Sequence, residues 1–184
     1  QNKTRAAPVL ARELAAASGV PVLLAPRITT LSDWAALAPC VAAKEPDSRR
    51  ELQLYGALRE RGWFLESDLW HIVGELRRLA DELTRHRVTL PRDADDFAAR
   101  LEAAYRAQAG ESLRFEARLV HESWRILGKP GAALDGVARY HLQLRQLAES
   151  AAGPVVAVGL DALTPAEQEF FDRCATRAPV LVLS

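Results

Sequence analysis

Methionine is missing from the chain, even at position 1, and the sequence opens on QNKTRAAP, so a piece of a longer protein is expected. Cysteine is nearly missing too. Cys40 and Cys174 are too few and too far apart for a metal knuckle or a disulfide framework, and both are read as reduced core residues. No apolar run approaches the roughly 20 residues that a membrane helix requires, and no basic-then-apolar signal segment opens the chain. The expected setting is therefore cytoplasmic, with no membrane partner. Net charge is also lacking, because 24 Lys and Arg balance 24 Asp and Glu. That balance excludes a strong overall field toward nucleic acid but leaves room for a local basic stripe.

The parts needed for phosphate chemistry are absent as well. A phosphate cradle needs a Gly-rich loop and a Lys ahead of a helix, so that backbone N–H groups and one cation converge on the phosphates. The Gly128-Lys129 pair runs into Pro130 between two helical patterns and does not meet this requirement. His71, His86, His121 and His141 share no i,i+4 ligand spacing and have no nucleophile beside them, so they are read as surface or hydrogen-bonded imidazoles. Asp161 reads as a turn acid. The Arg groups at 49–50, 59–61, 77–78 and 85–87 interleave with acids at helical spacing, as in Glu75 with Arg78 and Glu82 with Arg85, the pattern of a solvated, ion-paired face. Trp63, Trp70 and Trp124 are read as core or interface, since no alternation of basic and aromatic residues offers base stacking. No catalytic, cofactor or metal site is expected.

What is present is a sheet signal at both ends and helices between. VPVLLAP from Val20, VVAVGL from Val155 and VLVLS from Val180 are unalternated apolar runs, expected as parallel strands covered on both faces. Between about Trp34 and Gly153 the pattern is helical. In ESDLWHIVGELRRLADELTRHR, the residues Leu69, Ile72, Val73, Leu76, Leu79, Ala80 and Leu83 make one apolar stripe that needs a partner surface. Ser48 and Glu51 have the spacing of a reciprocal cap, and Asp93 is placed to cap a helix carrying Phe97, Leu101 and Tyr105. Two further helices run through SLRFEARLVHESWRIL and AALDGVARYHLQLRQLAES. Near the end, Thr164 and Glu167 form a capping box with Pro165 in the first turn. The fold class expected is α/β, a sheet layer with a large all-helical inserted subdomain.

The order of segments carries a resemblance. QNKTRAAPVLAREL looks like the motif that follows the first phosphate-loop helix and second strand in superfamily I DNA helicases. RITTLSDWAA resembles the later T-F-H-G-L type motif of the UvrD and RecB helicases, with Thr30 at its Thr and Leu31 at its aromatic. VGLDALTPAEQ fits the D-E-x-Q-D-x-x-x-x-Q motif in register, with Gly159 and Leu160 at the two acids and Gln168 at the last Gln. The chain is similar to the inactivated superfamily I helicase domain of AddB-like DNA repair helicase-nuclease proteins.

The resemblance implies a degenerate, partial P-loop NTPase (RecA-like) parallel sheet in residues 1–35 and 154–184, with a 1B-like helical insertion at 36–153. It implies a non-catalytic helicase-like module for double-strand break repair and recombination, acting as scaffold and single-stranded DNA guide. ATP hydrolysis by this segment and a cofactor are not expected, and a PD-(D/E)XK nuclease domain is expected elsewhere in the parent protein. Carried over by position, Asn2, Arg5 and Thr30 would contact DNA, with Trp34 as an aromatic neighbour; amide, guanidinium and hydroxyl groups suit phosphates. The bland alternative has Thr30 capping a helix that begins near Leu31 and Trp34 buried. A second functional reading is a protein-interaction adaptor without DNA contact, whose helical insertion docks onto a helicase-nuclease partner subunit. The neutral charge and the apolar stripe through Leu76 support it.

Overall fold

A computed structural model describes residues 2–19, 26–40, 42–106, 110–128, 133–160 and 162–183, and the side chains of residues 2–7 lie outside that description. The apolar run expected as a strand from Val20 falls almost wholly outside the described residues. The helix before it, α1 (Asn2–Ser18), leaves Val9, Leu10 and Leu14 exposed. Next comes the short α2 (Leu31–Ala35), opened by Thr30, whose hydroxyl accepts from the Asp33 N–H at 3.1 Å. The chain then enters a two-residue strand, β1 (Ala43–Lys44), paired in parallel with β2 (Ala133–Leu134). No apolar pattern announces this pair.

Between those strands lie α3 (Asp47–Arg61), α4 (Glu66–Arg85), α5 (Ala94–Tyr105) and α6 (Glu111–Leu127). The α4 stripe finds its partner surface here. Leu69, Val73 and Leu76 bury against Leu54 and Leu58 of α3 and against Leu119, Val120 and Ile126 of α6. Leu79 stays exposed, at the margin of the stripe. Trp70 also points outward, 51% exposed, and stacks on Tyr55 with ring centroids 4.4 Å apart, which removes the core half of its core-or-interface reading. The Ser48 and Glu51 cap does not form. The helix α3 begins at Asp47 after Pro46, and Glu51 accepts instead from Arg77 Nε on α4 at 2.8 Å. A charge-assisted bond across the helix pair outcompetes the helix's own backbone N–H. The expected Asp93 cap is present, accepting from the Asp95 N–H.

The second core joins α7 (Gly136–Ser150), β3 (Val155–Val158), α8 (Pro165–Ala175) and α2. Ala35 and Ala38, Leu144, Leu147 and Ala148 of α7, Val155, and Phe170, Phe171 and Cys174 of α8 are all buried in it. Thus α7, which the helical pattern assigns to the insertion, packs onto the α/β end of the chain. Strand β4 (Val180–Leu183) runs parallel to β3 in the register Val155↔Val180 to Val158↔Leu183, and α8 is the crossover that parallel pairing requires. Among the described residues these strands are covered on one face at most, where Val155, Ala157 and Val180 pack on the second core while Val182 stays exposed. Val156, Val158, Leu181 and Leu183 share the other face and are exposed, because no described element lies over it.

The α8 start folds as expected. Thr164 Oγ1 accepts from the Glu167 N–H while Glu167 Oε2 accepts from the Thr164 N–H at 2.9 Å. Changing Thr164 to Ala is expected to lower unfolding free energy by about 1 kcal/mol, read as a lower urea midpoint at unchanged slope. The whole is mostly helical with a few short strands, α/β in class. Among the described residues no helix is long and apolar enough to cross a membrane.

Candidate functional site

The turn after β3 is where a strand–turn–helix motor motif would place its acids. Gly159 closes the strand with φ 70°, the left-handed conformation that any Cβ would strain. Leu160 is half-buried against the α8 core. Both positions are thus occupied by turn and packing requirements. Asp161 lies outside the described residues. Gln168 sits on the exposed side of α8 and donates from Nε2 to Asp172 Oδ1 at 2.9 Å, an i,i+4 helix-surface pair.

The residues matched to DNA-contact positions divide. Asn2 and Arg5 lie in the first turns of α1, with side chains outside the described residues. Thr30 uses its hydroxyl to cap α2. Trp34 packs edge-to-face on Phe170, centroids 5.6 Å apart at 85°, and belongs to the second core. The structure therefore brings Trp34 to α8, but as a packing residue.

Beside that core, the start of α8 faces α7, α2 and the end of α4 across a cavity of about 320 Å³. Ser32, Arg85, Tyr140, His141, Thr164 and Glu167 contribute its polar groups. Both oxygens of the Glu167 carboxylate are engaged: Oε2 accepts from the Thr164 N–H and hydroxyl, and Oε1 accepts from Tyr140 Oη at 2.9 Å. Burial pushes the Tyr140 phenol well above its ordinary pKa, and the bond to Glu167 pushes it further, so Tyr140 stays a fixed donor. His141 differs from the other histidines, since its Nε2 is buried and has no hydrogen-bond partner. By contrast, the buried His121 donates from Nε2 to the Pro91 carbonyl at 2.9 Å.

Burial lowers the His141 pKa, and the positive charges of Arg87 and Arg145 add to this against the opposite pull of Asp135 and Glu167. Folding thus favours its neutral form. Because the folded pKa lies below the ordinary value near 6.5, the unfolded chain binds more protons as pH falls through that value. Stability present above about pH 6.5 is then lost toward the lower folded pKa. A urea midpoint that falls between about pH 7.5 and 5.5, and falls less in His141→Gln, is the expected result.

No hydroxyl or thiol among the described residues is hydrogen-bonded to His141, so a nucleophile and base pair is not assembled. Among the same residues no group of His, Cys, Asp and Glu is placed to hold a metal ion. The cavity is lined by an imidazole whose buried Nε2 has no hydrogen-bond partner, one guanidinium and a carboxylate with both oxygens engaged. Nothing in local sequence marks Tyr140 and His141 for this wall; it exists because α7 packs on α8. No protein-family model, curated protein or solved structure matches the chain.

Proposed function

We propose that this chain is a non-catalytic module of superfamily I helicase descent, a scaffold and single-stranded DNA guide within a double-strand break repair protein. The observation that carries the reading is the β3–turn–α8–β4 unit, a parallel pair with a left-handed Gly159 at the strand end and a fully capped crossover helix. Phosphoryl transfer at such a strand end requires one carboxylate on magnesium and a group that orients the attacking water. A hydrogen and an isobutyl group stand at those two positions, Gly159 and Leu160. Since Thr30 and Trp34 serve capping and packing, guidance of DNA would rest on Asn2, Arg5 and basic side chains elsewhere on the surface.

Two measurements on the purified chain test this. With magnesium and ATP, turnover is expected to be absent with or without single-stranded DNA; turnover in either condition, whether or not Asp161→Ala removes it, overturns the inactive-site half. Labelled single-stranded DNA is expected to bind at low salt and to weaken steeply as salt rises. No binding at low salt overturns the guide half and leaves the adaptor reading. The α4 stripe that supported docking through the helical insertion is buried against α3 and α6, so the adaptor reading would rest instead on the exposed apolar face of Val156, Val158, Leu181 and Leu183.

A further inference from the structure

Three guanidinium groups converge on one carboxylate at the junction of α4, α7 and α8. Glu169 of α8 accepts at Oε2 from Arg87, which follows α4. Its Oε1 accepts from Arg173 Nε at 2.9 Å and lies 3.5 Å from Arg145 Nε of α7. Arg87, with Arg145 and Arg173 adding to it, holds the Glu169 carboxyl below its ordinary pKa, so the group is ionised at neutral pH. Within this cluster one negative charge meets three positive ones, which leaves two uncompensated.

The other ion-paired clusters on the helices do not share this excess. Arg59 with Glu66 and Arg78 with Glu75 are matched pairs. Around Arg50 and Arg77 the carboxylates of Asp47, Glu51 and Asp81 outnumber the guanidiniums. In a chain with no net charge, a local surplus of this kind is placed by the fold. The backbone at Arg87 points the same way. His86 ends α4, and Arg87 then takes φ 55° with the Val88 N–H bonded to the Leu83 carbonyl, a helix-ending turn that favours glycine. An L-residue there costs about 1–2 kcal/mol, and here it carries a guanidinium onto α8.

The three side chains remain reachable, 35%, 52% and 47% exposed for Arg87, Arg145 and Arg173. A guanidinium has five N–H donors, and bonding to Glu169 leaves several of them on each Arg for an outer ligand. Planar forks of this kind match phosphate oxygens. Half-exposed guanidiniums suit a chain passing over them better than an enclosed small ion.

We propose that Arg87, Arg145 and Arg173, set by Glu169, form a seat for the phosphodiester backbone of single-stranded DNA, without base readout. The seat rests on the guide reading above for the identity of the strand. It lies outside Asn2, Arg5, Thr30 and Trp34, the positions the helicase resemblance points to.

The test compares two double variants of the full chain by fluorescence anisotropy with a labelled 20-nucleotide single strand, their folding checked by thermal melts. Arg145→Ala with Arg173→Ala is expected to weaken binding about tenfold and to flatten the log K against log salt slope by roughly 1.4, about 0.7 per lost contact. Arg59→Ala with Arg78→Ala removes the same charge from matched pairs and is expected to change binding less than about twofold. Equal weakening by both variants, meaning a diffuse field, overturns the seat. So does binding that ignores the Arg145 and Arg173 changes, a result that leaves the guide reading standing. Wild type that fails to bind the strand ends both. Stabilisation by inorganic phosphate at constant ionic strength, lost in the Arg145 and Arg173 variant while DNA fails to compete, assigns the cluster to free phosphate and overturns the phosphodiester assignment.

Discussion

Replacing Phe170 by Ala is expected to lower the unfolding free energy by about 3–5 kcal/mol. Phe170 is 1% exposed, and its ring meets Trp34 edge-on at 5.6 Å and Phe171 at 5.1 Å. The residues around it come from α2, α7, β3 and α8, so no single element can move in to fill the space. The loss therefore combines the transfer free energy of the ring with an unrelieved cavity. A domain of this kind holds about 5–15 kcal/mol in all, which makes the change a large share of the total. Leu181→Ala, on the exposed strand face at 53%, supplies the contrast: a change within about 0.5 kcal/mol is expected there. Urea midpoints at equal slope measure both. Equally large losses would mean that the β3–β4 face is covered, and equally small ones that the Phe170 site can collapse.

Interactions that span one or two helical turns were the readable part of this fold. The Thr164 and Glu167 capping box, the Asp93 cap, the Glu75–Arg78 and Glu82–Arg85 pairs and the buried members of the α4 stripe all follow from helix geometry over three to four residues. The apolar runs at 155–158 and 180–183 are strands for a similarly local reason. The features that required knowing which helix faces which could not be read. Arg87 and Glu169 are 82 residues apart, and nothing near either one specifies the other. The same holds for Arg139, whose Nη1 reaches the Ala42 carbonyl, and for the two-residue pairing of β1 with β2. Glu51 shows the two levels in competition, since its spacing to Ser48 favours a cap but Arg77 on the neighbouring helix takes its carboxylate. The candidate site suffers most from this limit. Thr30 and Trp34 were placed by motif spacing, whereas the cavity wall of Tyr140 and His141 depends on α7 crossing α8.

The ion network between α3 and α4 leads to the other large effect. Arg50 is 3% exposed at its side chain and donates from Nη1 to Asp81 Oδ1 at 2.7 Å, while Arg77 Nη1 holds Asp81 Oδ2 at 2.8 Å. Asp81→Asn is expected to cost about 3–5 kcal/mol, because it strands a buried guanidinium with only Asp47 at 3.9 Å to face it. Arg50→Met should cost less. It leaves Asp81 still paired with Arg77 and itself 17% exposed, and the thioether chain fills much of the vacated space. The double variant removes both buried charges together, so its loss should fall short of the sum by about 0.5–3 kcal/mol. This shortfall separates two explanations of why α3 and α4 adhere. If the apolar stripe of Leu69, Val73 and Leu76 supplies the adhesion and the ion network mainly sets the pairing of the helices, the double variant remains folded with a small net loss. Strict additivity in the urea-measured cycle would instead show that Arg50 and Asp81 act independently, and the short contact between them would then carry no coupling.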